Sequence, residues 1–292
     1  MKSTNFKPRT IAILCLLMGS LINTLVHFIG NEGKSKEYYD TYAHAFNATS
    51  KITTELHSRI NLNQALSAYV EENPKISQGE FESFVTALIK NDAGVVSSMS
   101  FEHHFIIVLI APFEFNKKAL GLDLTVKPGR AANLKRAIES KKAYIEGPFE
   151  LAQDNMGIVS YIPVYFKDNV TGNLKPVGVT DVVLLWEKFL EVIKLEEEEK
   201  YIDIAIRGEN GMGNEGEVFY GDPELFEKEN AVRITIPLPL GEWIFVAYPK
   251  DGYKLMNVPI SVVASYIFVI LFSILVYFMC NTRISNKNKM IR

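Results

Sequence analysis

Two stretches without a formally charged side chain limit most strongly what this sequence can fold into. They are residues 10–29 (TIAILCLLMGSLINTLVHFI) and 258–280 (VPISVVASYIFVILFSILVYFMC). About 20 apolar residues cross the hydrocarbon core of a bilayer as a helix, so both are read as transmembrane helices, the second being the cleaner. The first carries Asn23 and His27, which a helix end or a helix pair tolerates. No Ala-x-Ala-like cleavage site follows it; the next residues are Gly30-Asn31-Glu32-Gly33-Lys34. A retained anchor is therefore expected rather than a removed signal peptide. Lys2, Lys7 and Arg9 precede the first stretch, and Arg283, Lys287, Lys289 and Arg292 follow the second, with no acidic residue in either tail. By the positive-inside rule both tails (1–9 and 281–292) are expected in the cytoplasm and residues 30–257 outside, at a cell or inner membrane.

That placement segregates charge. All 34 acidic residues lie between the two stretches. Three of the 31 basic residues precede the first stretch and four follow the second, leaving 24 between, so the outer portion carries about −10. Such a surface argues against nucleic acid as a partner. Both cysteines, Cys15 and Cys280, fall inside the apolar stretches, so the outer portion has neither a disulfide framework nor a thiolate metal site.

Residues 30–74 are expected to form a stalk helix. Tyr39, Tyr42, Phe46, Thr49, Ile52, Leu56 and Ile60 recur at three- and four-residue steps, and nearly forty residues would make a rod of about 55 Å. The bland expectation for it is packing along its own domain; the sharper one adds a homodimer seam. Asn73-Pro74 ends the rod, and Ser77 with Glu80 three residues on reads as a capping box for a helix over 81–89. A membrane-distal domain over 75–195 follows. It has a strand near 94–101, an apolar run at 106–110, a helix over 131–142, strands at 144–151, 157–165 and 177–183, and a helix over 186–195. The run 196–199 reads as a solvated acidic face. Residues 196–257 form a smaller membrane-proximal sheet, with strands near 202–206, 217–220, 232–236 and 243–247.

The stretch 107–165 carries a family resemblance. Ala119-Leu120-Gly121-Leu122-Asp123-Leu124, then Gly147-Pro148-Phe149 with Leu151 and Gln153, then Gly157 and Ile162-Pro163-Val164-Tyr165 resemble the CHASE domain, over roughly 81–190. CHASE domains are the extracytoplasmic sensors of bacterial kinases, bacterial cyclases and plant cytokinin receptors. Leu238-Pro239-Leu240-Gly241-Glu242-Trp243 and Pro249 with Gly252-Tyr253 resemble the membrane-proximal half of such sensors, less specifically. The fold class the resemblance implies is α+β: two transmembrane helices flanking the stalk and tandem PAS-like antiparallel sheets.

Candidate chemistry lies mainly in two glutamates. No HExxH, GxSxG or P-loop pattern occurs, so no enzyme, cofactor or metal is expected. Gly208–Gly213 reads as a turn, since no helix pattern follows it. His103-His104, as strand neighbours, face opposite sides and make a poor metal pair. Glu114, between Phe113 and Phe115 just after Pro112, reads either as the polar anchor of an apolar cavity or as a surface glutamate. The resemblance favours the first: in cytokinin receptors an acidic residue shortly before the matching Leu-Asp pair contacts the adenine-like ligand, and a gapless count back from Leu122-Asp123 reaches Glu114. Glu146 departs from the plant receptors, which have a small hydroxyl residue there. Glu114 and Glu146 in one cavity would favour a cationic or multiply donating ligand such as an amine. Phe113, Phe149, Leu151, Tyr161, Gly178 and Thr180 are the further expected lining residues, with core packing as the alternative for each.

The expected function is a two-pass, membrane-anchored small-molecule sensor that acts as a homodimer. Only residues 281–292 follow the second apolar stretch, too few for a catalytic output domain. Signalling is then expected through a separate kinase or cyclase, or this is the sensor part of a longer receptor. An interaction scaffold and an anchored extracytoplasmic hydrolase are the alternatives.

Overall fold

The computed structural model describes residues 8–126, 128–151, 156–168, 170–253, 263, 266–275, 277 and 278. The chain divides into two units, one made of Met1–Asp40 and Asp251–Arg292, the other of Thr41–Lys250. Helix α1 (Pro8–Glu72) contributes to both. In the first unit residues 266–275 are helical, and the Tyr266 hydroxyl donates to Asn23 Oδ1 at 3.4 Å. Among the described residues no helix is long and apolar enough to cross a membrane. Residues 258–262, 264, 265, 276, 279 and 280 of the expected second span, with the tails 1–7 and 281–292, lie outside the described residues.

In the second unit the capping box forms as the sequence predicts. Ser77 accepts from the Glu80 amide, and Glu80 reaches back to the Ser77 amide, opening α2 (Gln78–Leu88). The distal sheet then assembles from β1 (Val96–His103), β2 (Ile106–Ala111), β3 (Tyr144–Glu150), β4 (Met156–Lys167) and β5 (Leu174–Leu185). All its pairs are antiparallel, in the order β2-β1-β5-β4-β3. The β4–β5 hairpin turns on Asp168, whose Oδ1 accepts from the amides of Val170 and Thr171 at 2.9 and 2.8 Å.

Helix α1 buries Ala45, Ala48, Ile52, Leu56, Ile60, Leu66 and Val70 in a core shared by side chains on one face of this sheet and by residues between 186 and 247. Thr49, Ile52, Leu56 and Ile60 of the expected stripe are buried, whereas at its start Tyr39, Tyr42 and Phe46 are exposed and the small Ala45 and Ala48 occupy the buried side. The contact also contains polar bolts. Asn63 Nδ2 donates to the carbonyls of Ser160 (2.7 Å) and Thr180 (3.2 Å), on the neighbouring central strands β4 and β5. Arg59 Nε pairs with Asp92 at 3.0 Å, both side chains buried.

The other face of the distal sheet carries two short helices, α3 (Phe113–Asn116) and α4 (Pro128–Ser140). The chain then leaves through α5 (Trp186–Ile193) and α6 (Leu195–Glu198) into the proximal sheet. Its strands β6 (Ile202–Arg207), β7 (Val218–Gly221), β8 (Val232–Pro237) and β9 (Glu242–Pro249) run antiparallel in the order β7-β6-β9-β8. Trp243 is fully buried there and meets Phe219 edge-on at 5.1 Å. Phe219 in turn meets Trp186 of α5 at 5.9 Å, so an aromatic chain ties the linker to the sheet.

The acidic run 196–199 is not a solvated face throughout. Glu198 is buried against α1, where His44 Nδ1 (2.8 Å), Lys51 Nζ (3.0 Å) and the Asn47 amide converge on it. Burial pushes its carboxyl up, but the bonds from His44 and Lys51 outweigh that and hold it below the usual range. Glu198→Ala should therefore destabilise the fold by about 1–3 kcal/mol at pH 7, read by urea denaturation. A carboxyl held low contributes above its unfolded value, so the wild-type advantage should fade as pH falls through the lowered value. An equal loss at pH 7 and pH 3 would contradict this latch.

Candidate ligand-binding site

Residues directly opposite in antiparallel strands share a face, so the pairings sort the candidates. Tyr161 lies opposite Asp181, and Asp181 opposite Ser100. These three project to the face away from α1, together with Val159, Val183 and Ser98. There they line a cavity of about 510 Å³. Ile107 and Ile110 of β2 close one wall. Ala119, Leu122, Asp123, Leu124 and Val126 roof it, and Phe149, Leu151 and Arg130 of α4 form the opposite side. The roof is the segment that carries the Leu-Asp pair. It lies along β2 through Gly121 N–H to the Ile107 carbonyl (2.9 Å) and Ile107 N–H to the Leu122 carbonyl (3.1 Å).

The Gly147-Pro148 pair makes the third wall possible. In a regular strand residues 146 and 149 would face opposite sides. The β3–β4 register shifts between Glu146 and Phe149, and this bulge turns both toward the cavity layer. Glu146 then receives Arg130 Nε on both oxygens, at 3.0 and 2.7 Å, and the Tyr161 hydroxyl at 3.1 Å. The Arg130 guanidinium lies 5.3 Å from the Phe149 ring centre. Gly147 N–H donates to Asn210 Oδ1 at 2.9 Å, so the turn at Gly208–Gly213 of the proximal part docks directly behind this wall.

Beneath the cavity is a pair of carboxyl groups that the sequence reading passed over. Glu102 is fully buried on β1 beside Asp181 on β5. Burial, then the neighbouring Asp181 charge, pushes Glu102 well above the usual carboxylate range. Burial pushes Asp181 up to about 6 against hydrogen bonds from Ser100 and Glu102. Two buried carboxyls side by side resist ionising together, so the pair favours one negative charge over two. The signal for Asp181 was its place inside the apolar run Val177–Val183, where an acid is costly unless it serves something.

Of the expected site residues, Phe149, Leu151 and Tyr161 line the cavity, and Glu146 holds its wall through Arg130 and Tyr161. The others are placed elsewhere. Glu114 points to solvent, 75% exposed, paired with Lys117 at 2.8 Å, because α3 turns its side chain outward. Glu114 and Glu146 therefore do not share a cavity. Phe113 packs in the apolar layer over this face without lining the cavity. Thr180 is on the opposite face, since it alternates with Asp181, and its carbonyl holds Asn63. Gly178 has the same parity, and a Cβ there would stand 1.7 Å from the Glu102 carbonyl oxygen, so its role is close strand approach. His103 and His104 sit at the β1–β2 turn with rings 4.2 Å apart rather than splayed across a strand, because His104 has φ of +51°.

A long helix against a sheet whose far face is hollowed by an apolar, acid-floored cavity, with a second smaller sheet following, is the architecture of a sensor domain. The CHASE domain matches residues 54–220, and the chain belongs to that family. No curated protein matches it. Among solved structures it is similar to an extracellular ligand binding receptor from Desulfohalobium retbaense, at 11% identity and a TM-score of 0.55, over 72% of this chain. It spans only 40% of that receptor's length. It is also similar to the extracellular domain of the proposed histidine kinase soHK1S-Z6, at 14% identity and a TM-score of 0.50, over 75% of this chain and 96% of that one. At these identities the likeness is one of fold.

Proposed function

We propose that the chain is a membrane-anchored extracytoplasmic small-molecule sensor that binds its ligand in the distal cavity. The observation that carries this reading is the combination of apolar walls with convergent buried polar groups, Asp181, Tyr161 and Arg130, in one volume of about 510 Å³. A ligand there touches strands whose reverse faces are bonded to α1 through Asn63, and a wall bonded to the proximal part through Asn210. Binding that favours one arrangement of these strands therefore has two routes outward.

The anchoring and topology follow from the apolar stretches 10–29 and 258–280 and the basic residues beyond them. The exposed, stacked Tyr42 and Phe46 on α1 support association with a second copy, and output is assigned to a separate kinase or cyclase or to further domains of a longer receptor.

The test is a thermal-shift screen of the full chain in detergent against a library of small metabolites, followed by calorimetry. At least one compound is expected to bind, and Val183→Trp, which fills the cavity, to abolish its binding. A library without a binder, or binders indifferent to Val183→Trp, would remove the sensor reading.

A further inference from the structure

The acid pair beneath the cavity gives the ligand a chemical class. Asp181 is 4% exposed, yet it lines the cavity, and its Oδ1 has no hydrogen-bond partner among the described residues. An acceptor stripped of water costs free energy unless something donates to it, so the floor is built for a donor that arrives with the ligand.

Neighbouring cations do not supply that donor. Arg130 is the one basic residue among the described residues lining the cavity, and its Nε is committed to both oxygens of Glu146. The groups facing Asp181 are Ser100 and Glu102 from β1, Tyr161 from β4 and Arg130 from α4. Glu146 and Tyr144 stand behind from β3, and Asp123 and Glu150 lie at the rim. Asp123 is held ionised, below its usual value, by hydrogen bonds from the Thr125 hydroxyl and amide. Counting Arg130 against Glu146, what remains is negative: one charge on the acid pair, and the carboxylates of Asp123 and Glu150.

We propose that Asp181, backed by Glu102, seats the protonated amine of a small apolar amine, whose body lies against Val159, Val183, Leu151 and Phe149, and that seating it releases a proton. This rests on the reading of the cavity as the ligand site.

The linkage follows from the shared proton. Where Asp181 is protonated, the R–NH3+ group displaces that proton to bulk water and takes its place beside the carboxylate. Where Asp181 is already ionised, nothing is released. Burial and hydrogen bonding leave Asp181 titrating near 6 in the free protein. A cation beside it lowers that value, so affinity rises from pH 5 to pH 7 and levels off above. The expected gain over that interval is about tenfold.

The probes are phenethylamine, its neutral counterpart phenethyl alcohol, the acid 3-phenylpropionate and calcium chloride, each titrated into the full chain in detergent by calorimetry. Phenethylamine is expected to bind, the alcohol and the acid to bind weakly or not at all, and calcium to leave both the melting temperature and amine binding unchanged. Two buffers of different ionisation enthalpy should report net proton release at pH 6 and almost none at pH 8. Asp181→Asn should weaken the amine about thirtyfold or more. Because that variant alters a buried pair and so perturbs folding in its own right, Glu102→Gln gives a second reading. It keeps a donor beside Asp181 and leaves Asp181 buried, so binding and its rise between pH 5 and pH 7 should both persist, and loss of either would overturn the amine seat.

Equal binding of the alcohol, preference for the acid, calcium competing with the amine, or no binding of phenethylamine would each overturn the amine seat. If a neutral or acidic metabolite from the library binds and Val183→Trp abolishes it, the sensor reading stands and this inference alone falls.

Discussion

Arg130→Met is expected to destabilise the protein by about 3 kcal/mol at pH 7, because it strands a charge rather than merely removing one. Arg130 and Glu146 are 10% and 12% exposed, and Arg130 Nε contacts both Glu146 oxygens. Without the guanidinium, Glu146 keeps, among the described residues, the Tyr161 hydroxyl. One further result would identify the mechanism. The double variant Arg130→Met with Glu146→Leu should recover most of it, since an apolar pair carries no such penalty. Urea denaturation of the wild type and both variants at pH 7 makes the comparison. A loss under about 1 kcal/mol, or a double variant no better than the single, would show that the pair carries little of the wall.

Gly178→Ala should cost a similar amount, about 3 kcal/mol, by a different route. Its added methyl would lie 1.7 Å from the Glu102 carbonyl oxygen, with the Glu102 carbonyl carbon at 2.8 Å and His103 Cα at 3.2 Å. Backbone has to move, and it is the backbone that carries Glu102. The substitution is thus expected to lower the denaturation midpoint and to weaken whatever binds in the cavity, although Gly178 faces the other side of the sheet. Wild-type stability with wild-type binding would mean that β1 and β5 separate there without consequence.

The elements were more legible than the faces they present. Alternation in β4 and β5 and the Ser77–Glu80 box gave strands and a helix start near their observed positions. Parity is harder to read. In residues 177–183 each phase holds one polar residue, Asp181 among Val177, Val179 and Val183 and Thr180 between Gly178 and Val182, so alternation does not say which of the two faces the cavity. Pairing with Tyr161 and Ser100 decides it, and that contact is long-range. Helix α1 poses the same problem: Tyr42 and Phe46 outweigh Ala45 and Ala48 in any count of hydrophobicity, yet close packing selects the small pair. Polar residues at the buried face, Asn63 and Arg59, are invisible to an apolar count although they bolt the layers together. Glu114 failed for a local reason. A gapless count assumes that the segment before Leu122-Asp123 runs straight, whereas α3 and the following 3-10 turn Lys117–Ala119 coil it and turn the side chain out.

Asn63 has a mechanical implication. One amide nitrogen straddles two adjacent strands, at 2.7 Å from one carbonyl and 3.2 Å from the other. Any sliding of β4 past β5 lengthens one of these bonds while shortening the other. Rolling of the helix about its own axis is one movement that restores the balance, so the amide couples shear within the sheet to rotation of α1.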